Sequence, residues 1–105
     1  MLARVVTIEG RPEKVEDGIR YFREKLIPTA KSSHGFKDAY LMVDRKSGKI
    51  LSVVTWESEN DIQESAAGAD KITSERGQVA GAKQKPKLEV YEVAVAEVPT
   101  GASLK

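Results

Sequence analysis

The spacing of apolar residues changes along the chain, and the changes divide it into six elements. Residues 2–9 (LARVVTIE) are β-branched and half-alternating, which predicts a strand, and Gly10 and Pro12 end it. Val15, Ile19, Phe22 and Leu26 then recur at helical intervals, opposite Arg20, Arg23, Glu24 and Lys25. Pro12 suits the first turn of this helix, where its missing N–H needs no partner. Glu13, Glu16 and Asp17 place negative charge at the positive end of the helix dipole. Pro28 disfavours the α conformation at Ile27, so a kink is expected there, with the helix ending by Ser33-His34-Gly35.

Phe36–Asp44 and Ile50–Glu57 are strand-like runs joined by the polar loop Arg45–Lys49, in which Gly48 can take positive φ, so they predict a hairpin. Ser58, followed by Glu59 and Asp61, has the form of a capped helix start. Ile62, Ala66, Ala69, Ile72 and Val79 give this second helix a thin apolar stripe, weakened by Gly68, which costs about 1 kcal/mol relative to Ala. After a basic loop over Gly81–Lys87, Leu88–Val98 is the longest strand signal, and Pro99–Lys105 reads as a flexible tail beyond a domain of residues 1–98.

The order β-α-β-β-α-β predicts an α+β, ferredoxin-like fold with a four-stranded antiparallel sheet and both helices on one face. Alternation along the strands puts Ile50, Val54 and Trp56 opposite Leu51 and Val53. It also puts Phe36, Tyr40 and Met42 opposite Ala39, Leu41 and Val43. Both faces are apolar, whereas a sheet with one solvated face should alternate cleanly. Two helices cover one face. A second copy, sheet against sheet, is the economical cover for the other, the alternative being a monomer covered by a kinked helix or the tail.

Composition narrows the chemistry. In 105 residues, 17 Lys and Arg nearly balance 16 Asp and Glu, which gives no field to draw the chain to nucleic acid or an acidic membrane. The Lys83, Lys85, Lys87 cluster lacks interleaved aromatics and reads as a solvated loop. With no cysteine and one histidine, neither a thiolate nor a multi-histidine metal site is available, and no cofactor is implied. The first 30 residues contain no apolar signal core and no membrane span, so a cytoplasmic protein is expected.

The opening ARVVTIEG, the helix ending before Ser33-His34-Gly35-Phe36, the hairpin AYLMVDRKSGKILSVVTWES with Trp56 closing its strand, and the final YEVAV resemble the antibiotic biosynthesis monooxygenase-like family. That resemblance spans residues 2–97. It implies a dimeric α+β barrel with a ligand pocket between sheet and helices. The family includes cofactor-independent monooxygenases of quinols or aromatic polyketides, haem-degrading enzymes, and small proteins without a known substrate. The haem-degrading group uses an Asn on the first strand, a Trp ending the third and a His on the second helix. Only Trp56 matches, because the sole Asn is Asn60 and the sole His is His34, which argues against haem degradation.

Four residues are candidates for a site. Trp56 is either a core aromatic or a wall that stacks a flat ligand. His34 is either the base that deprotonates a phenol or quinol, or a cap on the carbonyls at a helix end. Arg4 either anchors an anionic or carbonyl-bearing ligand or pairs across strands with Glu92 or Glu57. Tyr40, like Arg4, could orient a substrate oxygen, although a strand Tyr is usually a packing residue. The expected function is a dimeric protein binding a small apolar or aromatic molecule, with cofactor-independent monooxygenation as its chemistry. The alternative is a non-catalytic ligand-binding or stress-associated module.

Overall fold

A computed structural model of the chain describes residues 1–97 and Pro99. Strands β1 (Leu2–Glu9), β2 (Phe36–Asp44), β3 (Lys49–Trp56) and β4 (Lys87–Glu92) form one antiparallel sheet in the order β2-β3-β1-β4. A short 3₁₀ turn, Pro12–Lys14, leads into α1 (Val15–Tyr21), and α2 (Ile27–Lys31) completes the first crossover. The second crossover is α3 (Glu59–Glu64) and α4 (Ala66–Val79). The predicted βαββαβ architecture is therefore present, and its central strands β1 and β3 carry the most buried positions.

Four details depart from the sequence expectations. At Pro28 the helix passes through a π-helical segment, Phe22–Leu26, in which Ile27 N–H reaches back to the Phe22 carbonyl. This wider turn makes room for a proline ring that would otherwise press on the carbonyl four residues earlier. The second helix is two helices, because at Ser65 the hydroxyl bonds the Ile62 carbonyl (2.8 Å) and the axis is interrupted. On β2 a bulge between Phe36 and Asp38 turns Phe36 to the helix side, with Ala39 and not with Tyr40 and Met42. Finally, β4 is Lys87–Glu92 rather than the expected Leu88–Val98: Glu92 stands opposite Leu2 at the start of β1, and one last bond runs from Val93 N–H to Met1 O (2.9 Å). The expectation of a flexible tail over 99–105 falls, Pro99 apart, outside the described residues.

The helix-covered face of the sheet is apolar at both ends and polar between. One cluster gathers Val6, Ile8, Ile50 and Ala80, and the other gathers Ala30, Val54, Trp56 and Ile62. Between them β1 contributes Arg4 and β3 contributes Ser52, both buried. The opposite face carries Tyr40, Met42 and Tyr91, which are about half exposed at 43%, 45% and 51%, alongside the half-buried Val5, Leu51 and Val53.

Candidate functional site

The polar band opens into a cavity of about 220 Å³ between the sheet and the helices. Arg4 and Val6 of β1 and Ser52, Val54 and Trp56 of β3 form its floor. Leu26, Thr29 and Ala30 come from the first helical crossover, and Ala69, Ile72, Thr73 and Arg76 from α4. The last four sit three and four residues apart, so they share one helix face. That face is turned to a cavity and holds Thr73 and Arg76, both buried, which explains the thin apolar stripe in the sequence. Of the residues read as that stripe, Ala66 is exposed.

Two arginines enter the cavity without a carboxylate partner among the described residues. Arg4 does not make the cross-strand pair open to it in sequence. Glu57 pairs with Lys37 (2.9 Å) on the surface, and Glu92 lies at the level of Leu2. The Arg4 side chain instead points to the helix side, where Nη2 donates to Ile62 O (2.8 Å) and Ser65 Oγ (2.9 Å). Its guanidinium carbon lies 5.8 Å from the centre of the Trp56 ring. Burial lowers its pKa, opposed by the charge of Asp70.

Arg76 is 4% exposed. Nη1 donates to Ser52 Oγ (3.0 Å), and the guanidinium lies over Phe22 at 5.2 Å. Burial pulls its pKa down to about 10. Among the described residues its Nη2 has no hydrogen-bond partner, and neither does Nε1 of Trp56, a residue only 2% exposed. The Trp56 ring packs edge-on against Phe36 at 6.0 Å, so one side of it belongs to the core and another to the cavity wall.

The remaining candidates lie elsewhere. His34 follows the helix end, but the cap there comes from Ser32 and Ser33, whose hydroxyls donate to Thr29 O. The His34 ring meets Asp61, with Nδ1 and Oδ1 2.7 Å apart, in a second, shallow cleft. Its side chain is 87% exposed while that of Asp61 is buried. The bond to Asp61 raises the His34 pKa and, with a second bond from Ser58 Oγ (2.9 Å), lowers that of Asp61. His34 is not among the residues lining the Trp56 cavity, although Ser33, Glu64 and Ser65 line both. Gly35, at φ +84, makes this dyad possible: a Cβ there would stand 2.1 Å from Asp61 Oδ2. Tyr40 projects from the other side of the sheet, since the alternation of β2 that turns Ala39 and Leu41 inward turns Tyr40 outward. The structure thus brings Arg4 and Trp56 together and places His34 and Tyr40 apart from them.

Sequence reasoning missed Arg76 and Asp61. Arg76 continues the stripe Ala69, Ile72 at helical spacing, so a charge on an apolar face was the available signal. Asp61 was read only as an acid of a first helical turn. Among the described residues no group of three or more His, Asp or Glu side chains could hold a metal ion, and no helix is long and apolar enough to cross a membrane.

No protein-family model matches the chain. Uncharacterized protein Rv2557 of Mycobacterium tuberculosis is 27% identical over 92 residues, 88% of this chain and 40% of that protein. Uncharacterized protein Rv2558 of the same organism is 36% identical over 56 residues, 53% of this chain and 24% of that one. The chain therefore spans 40% or less of the length of these relatives. Among solved structures, a monooxygenase from Streptomyces coelicolor in complex with the ligand nanaomycin D superposes with a TM-score of 0.75 at 16% identity, covering 94% of this chain and 92% of that one. A protein of unknown function from Nitrosomonas europaea gives 0.72 at 19% identity, covering 95% of both chains. An antibiotic biosynthesis monooxygenase gives 0.63 at 17% identity, with 90% and 100% covered. The chain has the α+β fold of the antibiotic biosynthesis monooxygenase-like proteins, the group its sequence resembles.

Proposed function

We propose that this protein binds a small, flat, largely apolar molecule in the cavity between its sheet and helices, and that it does so as a homodimer. The observation that carries the reading is the cavity itself: the buried side chains of Arg4, Arg76 and Trp56 line a space also walled by Val6, Leu26, Val54 and Ile72. At about 220 Å³ it is smaller than the ~300–1,000 Å³ of drug-sized pockets, which favours a compact ligand. Trp56 supplies a stacking surface beside Arg4. Because Trp56 is the only tryptophan, its fluorescence reports on the site without labelling. Saturable quenching by quinols and naphthols, lost in Ala69→Phe with its filled cavity, is expected; quenching that stays linear with concentration would overturn the reading.

The exposed Tyr40, Met42 and Tyr91 support dimerisation through the open sheet face, since large apolar groups gathered on one face mark an interaction surface. Met42→Lys with Tyr40→Glu should give a monomer by light scattering. A wild type that is monomeric at micromolar concentration would refute the dimer.

Monooxygenation is a second reading, favoured by the likeness to the Streptomyces coelicolor monooxygenase and by the His34–Asp61 dyad, whose cleft shares three residues with the cavity. In that chemistry a phenol deprotonated by His34 takes one atom of O₂ and releases the other as water, leaving a quinone; the substrate supplies the electrons. Oxygen consumption with phenols and quinols tests it, and turnover unchanged in His34→Ala would remove His34 from the reaction.

A further inference from the structure

We propose that the ligand of the cavity is an organic carboxylate, its anion seated among the Arg76, Trp56 and Arg4 side chains. This rests on the cavity being the ligand site. Two guanidinium groups are buried on its floor, and every ion pair among the described residues lies away from them. A buried charge without an ion-pair partner is strongly unfavourable, and Asp70, whose charge favours Arg4, forms no ion pair with it, so a site that retains both arginines is suited to an anion that arrives from outside.

The hydrogen-bond inventory points the same way. Arg76 Nη2 and Trp56 Nε1, both on buried side chains lining the cavity, are donors without an acceptor among the described residues. Two of the hydroxyls nearby are already used, Ser52 Oγ accepting from Arg76 and Ser65 Oγ accepting from Arg4 while donating to Ile62 O. Donors without acceptors match a ligand group that only accepts, and an ionised carboxylate is such a group. Glu64 is the one acid lining the cavity; it is exposed and holds Asn60 Nδ2 at 3.3 Å, so it does not neutralise the floor. A carboxylate suits the site better than a phosphate ester, since the cavity is small, at about 220 Å³, and its walls Val6, Leu26, Val54 and Ile72 are apolar, which favours the less strongly hydrated, singly charged head.

The test is calorimetric titration of the protein with pairs of equal shape: benzoate and benzamide, phenylacetate and phenylacetamide, 2-naphthoate and 2-naphthamide. In at least one pair the acid should bind ten-fold or more tightly than its amide. Arg76→Met and Arg4→Met should each remove most of that preference, the acid losing more affinity than its amide, as hydrogen bonds between charged groups are the stronger class. Arg76→Lys, which keeps the charge and loses the fork, should retain part of it. Acids and amides binding equally would overturn the anion assignment and leave the cavity as a ligand site. No binding by any member would overturn both. Phenyl phosphate binding more tightly than every carboxylate would overturn the choice of carboxylate.

Discussion

Replacing Arg76 with methionine should make the ligand-free protein more stable. Arg76 is 4% exposed and burial pulls its pKa from the usual arginine value down to about 10, which corresponds to about 3 kcal/mol spent on keeping it charged indoors. Methionine has similar length, no charge, and a sulfur that packs well against Phe22, the ring now under the guanidinium at 5.2 Å. Against the gain stands Ser52, fully buried, whose hydroxyl loses its hydrogen-bond donor at a cost of roughly 1 kcal/mol. Loss of the cation–π contact takes about another 1 kcal/mol. The net expectation is about 1–2 kcal/mol of added stability, a rise in Tm of roughly 5–15 °C at this size. Thermal melts followed by circular dichroism, on protein refolded to remove any bound small molecule, measure it, and Ser52→Ala in the same background should add a little more. The sign also fixes a pH dependence. A base whose folded pKa is depressed burdens the fold fully below that pKa and is relieved as pH rises above about 10, so the advantage of Arg76→Met should narrow there. A variant less stable than wild type by 1 kcal/mol or more would refute this account of the site, because it would mean that Arg76 is satisfied by the protein alone.

The single histidine gives one ring signal in proton NMR. It should titrate above 6.5, and Asp61→Asn should return it towards that value. The pair stabilises most fully between Asp61's ordinary 3.8 and His34's ordinary 6.5, a contribution lost as pH rises through the raised His34 pKa or falls through the lowered Asp61 pKa. Tyr21, which donates a hydrogen bond to Glu75 from a partly buried position, should ionise near 12, read as a phenolate step at 295 nm that Tyr21→Phe removes. Because its raised pKa favours the folded state only while the phenol is protonated, this support is intact below 10 and lost as pH climbs from there towards 12. Two glycines should respond in opposite directions by urea unfolding. Gly68→Ala, where a Cβ meets open space in a helix, should stabilise by about 1 kcal/mol, whereas Gly35→Ala, at φ +84 and against Asp61, should destabilise by more than that.

Strand and helix order were legible because each element carries its own period, and the two-sided apolar sheet was visible in the alternation of β2 and β3. What escaped depended on contacts distant in sequence. A one-residue bulge at the start of β2 reverses the face of Phe36, and single-chain alternation carries no mark of it. The end of β4 falls opposite the start of β1, a pairing that the sequence of β4 does not itself carry. Of the candidate site, Arg4 and Trp56 were found because a charge in an apolar strand and a lone Trp are conspicuous. Arg76 was not, because on α4 it lies among other charged residues and only the helical phase of Ala69 and Ile72 assigns it to the inner side. His34 and Tyr40 drew notice for their chemistry, while their positions follow from the Asp61 contact and from strand parity.

The central claim is that the cavity floor receives a ligand, and the indole N–H of Trp56 is the atom to watch. As the only tryptophan, it gives one indole cross-peak in a ¹⁵N-correlated spectrum, and it has no acceptor within the described residues. Titration with 2-naphthoate is expected to move that peak saturably downfield, together with backbone signals of Ser52, Ala69 and Thr73. A saturable titration in which the indole peak stays fixed while signals of Tyr40, Met42 and Tyr91 on the open sheet face move would contradict the claim.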